Sequence, residues 1–259
     1  LDSLKVLKKE SFDKYKDFWN EYGLVLKEGP ADDRENKATI ASLLLFASTY
    51  ANSKDCDQTL DDYLERMGDD QDKIYFCVAD TYEAAANSPH IEGLKSKGIE
   101  VLLLTDRIDE WVMAGLMEYQ GKELINVAKE DIVDEEQTKK VSEGDQEIIS
   151  KIQKHLGDKV SDVIISKRLT DSASCIVLPK HEPGAQLRKI LEASGQTLGS
   201  SNPIFEINMK HKLVKKLKDM KGKQFNSFVD FLYDYAVIAE GGSPQDPSKY
   251  LRQLDKYLS

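Results

Sequence analysis

The sequence predicts an α/β region followed by an α+β region that ends in a helical hairpin. Two compact apolar runs, Lys73–Ala79 and Glu100–Leu104, enclose helical sequence, which is typical of a βαβ unit with a parallel sheet. An acidic stretch over residues 130–147, poor in apolar side chains, separates this region from the last third of the chain. Two amphipathic stretches joined by Gly-Gly-Ser-Pro follow near the end, where two packed helices are expected.

The length and charge of the chain limit its function. At roughly 150 residues per domain, its 259 residues suggest two domains. The 46 acidic and 36 basic side chains give a formal net charge of -10, which argues against a dedicated nucleic-acid binder and against anchoring on anionic lipid. The densest apolar run, Ile40–Ala47, is too short to span a bilayer. Neither nucleic acid nor membrane is therefore expected as a partner.

The cysteine content indicates a reducing compartment. Cys56, Cys77 and Cys175 are widely spaced and form no Cys-x-x-Cys pair, so neither a disulfide framework nor a zinc site is indicated. Buried or incidental thiols are the preferred interpretation. The chain does not open with a basic region and an apolar stretch, so no secretory signal is predicted and a cytoplasmic location is expected.

The first part of the chain is predicted to be helical. Aromatic side chains recur at spacings of three and four, which favours one helix over Leu1–Tyr22 that ends at Gly23. A loop containing Gly29 and Pro30 is expected next, and a second helix over Ala31–Ala47 follows it.

Capping residues indicate where the helices of the βαβ region begin. Thr59 followed by Asp62 predicts a capping box at the start of a short helix. Ser88-Pro89 predicts an N-cap followed by proline at the first helical position. Arg107–Glu118 is predicted to be the helix that follows the second strand.

The last third of the chain mixes strands and helices. Its first helix carries one apolar stripe, made of Ile148, Ile149, Ile152 and Leu156. The predicted strands are Val160–Ser166, Ser174–Leu178 and Phe205–Asn208, and shorter helices are predicted over Gly184–Ser194 and His211–Met220.

Two small apolar features are open to two interpretations. Leu187, Ile190 and Leu191 fall on one face of the Gly184–Ser194 helix, and Trp111 is an aromatic side chain in the first half of the chain. Each is either an ordinary part of the core or an exposed docking surface for a partner.

The closing hairpin is apolar on more than one face. It either packs on its own domain or meets a second copy of itself in a four-helix bundle around a two-fold axis. The side chains predicted at such a dimer interface are Phe225, Phe228, Val229, Leu232, Ala236, Leu251, Leu254, Tyr257 and Leu258.

The search for catalytic motifs is negative. The sequence has no phosphate-binding glycine loop, no nucleophile elbow and no His-Glu-x-x-His pair. Asp80 and Asp106 follow the two strands, so one alternative is a small α/β enzyme with a metal site at the strand ends. Helix capping is the preferred interpretation of both residues, and no catalytic residue or metal ligand is assigned. A passive homodimeric scaffold is the third alternative.

Five segments, in order along the chain, carry a resemblance to a known family. They are Tyr15–Gly29, Lys73–Ala79 with Ser88-Pro89, Gly98–Trp111, Arg168–Asp171 and Phe205–Asn208. The most specific is Gly98–Trp111, Gly-Ile-Glu-Val-Leu-Leu-Leu-Thr-Asp-Arg-Ile-Asp-Glu-Trp. Together they resemble the heat-shock protein 90 chaperones of the bacterial HtpG type, in register over essentially the whole chain.

The resemblance implies that the chain is part of an ATP-driven chaperone. In that family ATP and Mg are bound by an N-terminal domain upstream, and the arginine that assists hydrolysis also lies upstream. This chain is therefore expected to hold no cofactor and not to be an enzyme by itself. The implied organisation is a helical segment of the middle domain at 1–56, its α/β subdomain at 57–131, an acidic linker at 132–145 and a C-terminal dimerisation domain at 146–259.

The resemblance also implies where non-native client proteins bind. In the middle domain the positions are Trp111 and Ala114, of which the second is commonly asparagine in the family. In the amphipathic helix of the C-terminal domain they are Pro183, Leu187, Ile190 and Leu191. The implied partners are a second copy through the C-terminal helices, client proteins and co-chaperones, within a cytoplasmic stress response.

Overall fold

Two parallel strands, β3 (Lys73–Val78) and β4 (Val101–Leu104), lie in the middle of a six-stranded sheet in the computed structural model. The structure describes residues 1–129, 142–179, 182–184, 187–188, 191, 193–195 and 202–258. Most of the predicted acidic linker at 132–145 lies outside these residues, and the predicted domain boundaries stay a prediction.

The chain divides into two compact units, each built from three stretches of sequence. Unit 1 comprises Leu1–Ala86, Lys97–Val127 and Pro183–Leu198. Unit 2 comprises Asn87–Ser96, Ala128–Glu182 and Gly199–Ser259.

Unit 1 contains the six-stranded sheet in the order β2-β1-β4-β3-β6-β5. The parallel pairing expected of the two apolar runs is confirmed, with Tyr75 opposite Val101 and Val78 opposite Leu104. β3 is also parallel to β6, and the remaining pairs are antiparallel. All four residues of β4 are buried, as a near-continuous apolar strand requires. The outer strands are β1 (Phe46–Ser48), β2 (Ser53–Gln58), β5 (Glu118–Tyr119) and β6 (Lys122–Asn126).

The helix predicted over Ala31–Ala47 is wrong. Its first two residues end the preceding helix, Lys37–Ala41 forms the short helix α3, and Phe46–Ser48 forms β1 between β2 and β4. Periodicity cannot distinguish a buried helix from a buried strand in a short apolar run, and all three residues of β1 are buried.

The single helix predicted over Leu1–Tyr22 is also wrong, because the chain forms α1 (Asp2–Glu10) and α2 (Phe12–Asp32). Gly23 does not end α2. It packs against the Trp19 ring so closely that an added Cβ would lie 2.8 Å from Trp19 Cδ2. This glycine therefore serves a close contact rather than a turn.

The loop predicted around Gly29 and Pro30 belongs to α2 as well. An added Cβ at Gly29 would lie 2.6 Å from Ile40 Cδ1, so the absence of a side chain lets α2 approach α3. Pro30 is in the last turn of α2, where its missing N–H forfeits only one main-chain hydrogen bond.

The predicted caps are confirmed. At the start of α4 (Leu60–Arg66), Thr59 Oγ1 accepts the Asp62 N–H at 3.1 Å, and Asp62 Oδ2 accepts the Thr59 N–H at 3.0 Å. Ser88 caps a 3₁₀ turn that has Pro89 at its first position. The other helices of this part of the chain are α5 (Tyr82–Ala86), α6 (Glu92–Ser96) and α7 (Asp109–Gly115), the last shorter than predicted.

Unit 2 contains a three-stranded sheet in the order β7-β9-β8, which confirms the three predicted strands. β7 (Asp162–Ile165) and β9 (Ile204–Ile207) are parallel, and β8 (Ser174–Val177) is antiparallel to β9. The apolar stripe of α8 (Glu143–Leu156) is buried in the core of this unit. The remaining helices are α9 (Lys212–Lys215), α10 (Gly222–Ala239) and α11 (Pro247–Leu258). Every helix in the described ranges is too short or too polar to traverse a lipid bilayer.

Residues Asn87–Ser96 pack in unit 2 although they belong to the connection between β3 and β4. The Glu92 carboxylate accepts the main-chain N–H groups of Thr170, Asp171 and Ser172 at 2.7 to 3.1 Å. His90 Nε2 lies 2.6 Å from Glu240 Oε1, just after α10. The segment is thus anchored at two places in unit 2.

Helices α10 and α11 pack against each other through aromatic rings. The Phe228 and Tyr257 rings meet edge to face with centroids 4.6 Å apart, and Phe231 stacks on Tyr250 at 5.4 Å. Beside these rings, Asp230 on α10 accepts hydrogen bonds from Lys249 Nζ on α11 at 3.0 Å and from His155 Nε2 on α8 at 2.9 Å. Asp230 therefore ties three helices together.

The stability that Asp230 contributes depends on pH. Burial alone would raise the pKa of Asp230, but the hydrogen bonds from Lys249 and His155 outweigh burial and hold it below its ordinary value of 3.8. A carboxyl group whose pKa is lowered by folding stabilises the fold above its unfolded pKa. The stabilisation is lost as the pH falls through the folded value.

We expect Asp230→Asn to lower the free energy of unfolding by about 1 kcal/mol at about pH 7, since the partly exposed ion pair is lost. The difference from the wild-type chain should shrink below about pH 4. Urea unfolding followed by far-ultraviolet circular dichroism measures both values. Asp255→Asn, at an exposed position of α11, is the matched control and should change little. A difference that stays constant with pH would contradict this assignment.

Candidate functional site

The structure brings most of the predicted client-binding residues into unit 1. Trp111 lies on α7, half-buried against the core, and Ala114 on the same helix is exposed. Pro183, Leu187 and Leu191 are half-buried in the stretch Pro183–Leu198, here called segment 183–198. Ile190 lies outside the described residues. No partner is present in the structure, so the roles of these side chains stay a prediction.

A buried lysine fixes the beginning of α7. Lys27, on α2, is only 3% exposed. Its Nζ donates to Asp106 Oδ2 and to Asp109 Oδ1, both at 2.6 Å, and it lies 5.8 Å from the centroid of the Trp19 ring. Asp109 is wholly buried, and its second oxygen accepts the Asp106 N–H at 2.9 Å. One cation thus holds the turn before α7 and the first residue of α7 together.

The electrostatics of this cluster favour a charged lysine. Burial alone would lower the pKa of Lys27, but the two carboxylates outweigh burial and raise it. A buried charge is tolerated only when it is paired and hydrogen-bonded, as this one is. The pairing therefore requires that α2 and α7 stay in contact.

The other end of α7 is also held against α2. Gly115 lies so close to Ala31 that an added Cβ would be 3.1 Å from Ala31 Cα. A helix of only seven residues is marginal by itself. Contacts with α2 at both ends hold Trp111 at a defined place.

Segment 183–198 is joined to α7 by a carboxylate. Glu110, which is 5% exposed, accepts the Gly184 N–H with one oxygen and the Leu187 N–H with the other, the latter at 3.1 Å. A Cβ at position 184 would lie 2.6 Å from Glu110 Oε1, so only glycine fits there without movement. Glu110, which lies between Asp109 and Trp111 in the sequence, is thus hydrogen-bonded to the main chain of segment 183–198.

The residues predicted at a dimer interface fall into two groups. The five on α10 (Phe225, Phe228, Val229, Leu232 and Ala236) are buried in the core of unit 2 itself. On α11, Leu251 is 58% exposed, whereas Leu254 and Tyr257 are half-buried and pack on that core. The Leu258 side chain lies outside what the structure describes. Without a second copy in the structure, the interface stays a prediction.

The alternative metal site has no geometric support in the described residues. They contain no group of three or more His, Cys, Asp or Glu side chains arranged to hold a metal ion. Asp106 Oδ2 accepts from Lys27 Nζ at 2.6 Å, and α7 has Ile108 at its N-cap with no side-chain cap, so Asp106 is not the predicted helix cap. None of the three cysteines forms a disulfide, and burial raises the pKa of Cys175 well above its ordinary value, which disfavours the reactive thiolate.

Comparison with known proteins identifies the family. The family model described as Hsp90 protein matches residues 1–259, the whole chain. The chain belongs to the Hsp90 family. The resemblance noted in the sequence is therefore confirmed.

Relatives of this Hsp90-family chain are named Chaperone protein HtpG. The protein from Aromatoleum aromaticum is 44% identical over 254 residues, which cover 95% of this chain and 39% of that protein. The one from Chromobacterium violaceum is 44% identical over 255 residues, covering 95% and 40%. The one from Shewanella halifaxensis is 43% identical over 267 residues, covering 100% and 42%. The chain thus spans about two fifths of the length of the curated relatives it matches.

Sequence reasoning missed the residues that hold the candidate site of this Hsp90-family chain together. Lys27, Asp109 and Glu110 are charged, and charged side chains between apolar ones are ordinarily read as a solvated helix face. Lys27 lies 79 and 82 positions from its two partners, and Glu110 lies 74 from Gly184. A single sequence contains no local signal for pairs so far apart.

Replacing Lys27 should destabilise unit 1 strongly. We expect Lys27→Met to lower the free energy of unfolding by about 3 kcal/mol or more, because it leaves the buried Asp109 without a counter-charge. Both tryptophans, Trp19 and Trp111, lie in unit 1, so their fluorescence during urea unfolding reports on this unit alone.

Two further variants of the Lys27 cluster control the experiment. The double variant Lys27→Met with Asp109→Asn should recover part of the loss, since no unpaired charge stays buried at that position. Lys16→Met, which breaks an exposed pair with Asp13, should change stability by less than about 0.5 kcal/mol. Equal effects of Lys27→Met and Lys16→Met would refute the assigned role of Lys27.

Proposed function

We propose that this chain contributes client binding and dimerisation to an ATP-dependent molecular chaperone of the Hsp90 family. Membership of the family, together with relatives named Chaperone protein HtpG, supports a role in protein folding and the stress response. The observation that carries the proposal is the link between α7 and segment 183–198. The two regions that the family resemblance assigns to client binding are joined by the Glu110 hydrogen bonds within one compact unit.

The chemistry of the proposed client surface suits non-native proteins. Such proteins expose apolar side chains, and the half-buried Trp111, Leu187 and Leu191 offer apolar area without a specific polar pattern. Tryptophan combines a large apolar area with few rotatable bonds, so it binds with a small loss of conformational entropy. Binding of this kind is weak and tolerant of sequence, as a chaperone requires.

In the proposed cycle, nucleotide binding takes place elsewhere in the full-length protein. By the family resemblance ATP and Mg are bound by a different domain, and the role proposed for this chain does not include contact with the nucleotide. It responds to the nucleotide state by a shift in population between conformations that differ in client affinity. The dimer raises the effective concentration of one protomer's N-terminal domain near its partner.

The proposed location is the cytoplasm. None of the three cysteines forms a disulfide, and Cys77 and Cys175 are buried, which suits a reducing compartment. Co-chaperones are proposed as further partners on the strength of the family alone.

The client surface is tested with a reduced and alkylated, permanently unfolded protein as the probe. Trp111→Gln and Leu187→Gln should each weaken its binding about tenfold, the usual cost of losing an apolar anchor. Met117→Gln is the matched control, because Met117 is 67% exposed in the same unit and lies outside the proposed surface. Fluorescence anisotropy of the labelled probe measures the affinity.

The folded form of the same probe separates chaperone from scaffold. A chaperone should prefer the unfolded form, whereas a passive dimeric scaffold should bind both forms equally or neither. Unchanged binding by both Trp111→Gln and Leu187→Gln would show that the client surface is elsewhere.

The proposed dimer uses the apolar side chains that the hairpin leaves exposed. Ile238 on α10 is 41% exposed and Leu251 on α11 is 58% exposed, although most of their apolar neighbours are buried in unit 2. Large apolar side chains on both hairpin helices favour a second copy as the covering surface, in the four-helix arrangement typical of paired hairpins. The buried side chains of α10 would then support this interface rather than form it.

We expect Leu251→Lys to raise the dissociation constant of the dimer about 30-fold or more, as for a central interface residue. Sedimentation equilibrium at micromolar concentration measures it. Val25→Lys, at a 67% exposed position of α2, is the matched control and should leave the dimer intact. A wild-type chain that sediments as a monomer would exclude the proposed interface.

A further inference from the structure

Glu110 is a buried hydrogen-bond acceptor next to Trp111, at the edge of the proposed client surface. It is 5% exposed although it is charged, and it follows Asp109, whose pairing with Lys27 fixes the helix. A buried carboxylate requires hydrogen-bond donors to compensate for lost hydration. Two of its donors are main-chain N–H groups, those of Gly184 and Leu187.

These two donors belong to the first turn of a helical stretch. Arg188 N donates to Gly184 O at 2.9 Å, which is the first i to i+4 bond of that turn, and Leu187 and Arg188 are helical. The first N–H groups of a helix have no partner within the helix and carry partial positive charge. Glu110 supplies the missing acceptor from α7, more than seventy positions away, since |i−j| is 74 for Gly184.

We infer that Glu110 is a positioning residue: its carboxylate holds the first turn of segment 183–198 against α7, so that Trp111 and Leu187 form one surface for non-native proteins. The inference rests on the proposed function and adds the element that organises the site. Glu110 acts through the segment and does not itself touch the client.

These hydrogen bonds can position the segment because they use main-chain N–H groups. They fix the segment without using the side chain of Leu187, which stays half-buried and available to a partner. They also explain Gly184, whose added Cβ would lie 2.6 and 2.7 Å from the two carboxylate oxygens. Any side chain at position 184 therefore competes with Glu110 for the same space.

This competition provides a sharp test, a double-variant cycle between Glu110 and Gly184. Glu110→Ala removes the acceptor, and Gly184→Ala introduces a clash with it. If the carboxylate and the glycine meet as described, Gly184→Ala should speed hydrogen exchange of the Leu187 amide in the wild-type background. In the Glu110→Ala background the same substitution should change this exchange rate little. Additive effects would overturn the inference.

Hydrogen exchange of the Leu187 amide is the direct readout. We expect about tenfold or faster exchange in Glu110→Ala, the change that corresponds to the loss of one charge-assisted hydrogen bond. Glu110→Gln keeps one acceptor oxygen and should give intermediate exchange. Glu118→Ala, at an exposed position just after α7, is the matched control. Wild-type exchange at Leu187 in Glu110→Ala would overturn the inference.

Affinity for the unfolded probe completes the experiment. Glu110→Ala should weaken binding about tenfold. Glu110→Gln should recover part of the loss, and the urea midpoint of tryptophan fluorescence should change little. Faster exchange with unchanged affinity would mean that the contact does not organise the surface, which also overturns the inference. The exchange arm needs no client, so it decides whether Glu110 holds the segment even if Trp111→Gln leaves affinity unchanged and the proposed function fails.

Discussion

The position of α7 depends on the single positive charge of Lys27. This ammonium group is buried between two carboxylates, and moving α7 away from α2 would leave at least one charge buried without a partner. The cost of such separation is a large fraction of the stability of a typical domain. The short helix therefore behaves as a fixed part of unit 1, although its seven residues would not form a stable helix in isolation.

Three consecutive residues at this place have three different roles. Successive positions of an α-helix point about 100° apart, so neighbours in sequence face different surroundings. Asp109 is bonded to the lysine of α2, Glu110 is bonded to segment 183–198, and Trp111 packs half-exposed at the edge of the core. Because these three residues are consecutive, the buried ion pair of Asp109 also fixes the positions of Glu110 and Trp111.

Patterns within a few residues were enough to predict a good part of this fold. The strands β3, β4, β7, β8 and β9 are compact apolar runs, and the caps at Thr59 and Ser88 depend only on the next few residues. The failures have a common cause, which is tertiary packing. Gly23 and Pro30 resemble helix ends, but α2 runs through both, and the neighbouring Gly29 packs on Ile40 of α3. Edge strand β2 is too polar to be distinguished from a loop.

The candidate site shows the same limit more strongly. Trp111 and Leu187 could be named because the chain resembles a known family, whereas their periodicity alone favoured ordinary core positions. The charged residues that hold them, Lys27 and Glu110, act across more than seventy positions of sequence. Such contacts arise from the fold as a whole, and one sequence contains no local pattern that indicates them.

The division of the chain into units has a consequence for how the protein is made. Unit 2 contains Asn87–Ser96, which leaves the ribosome within unit 1, and unit 1 contains Pro183–Leu198, which leaves it between β8 and β9 of unit 2. The two units therefore exchange short pieces of chain, and no single cut separates them intact. During synthesis the sheet of unit 1 can form early, but the partner of Glu110 arrives only after β8 has been translated. Completion of unit 1 is thus a late event in translation, coupled to the folding of the unit that follows it.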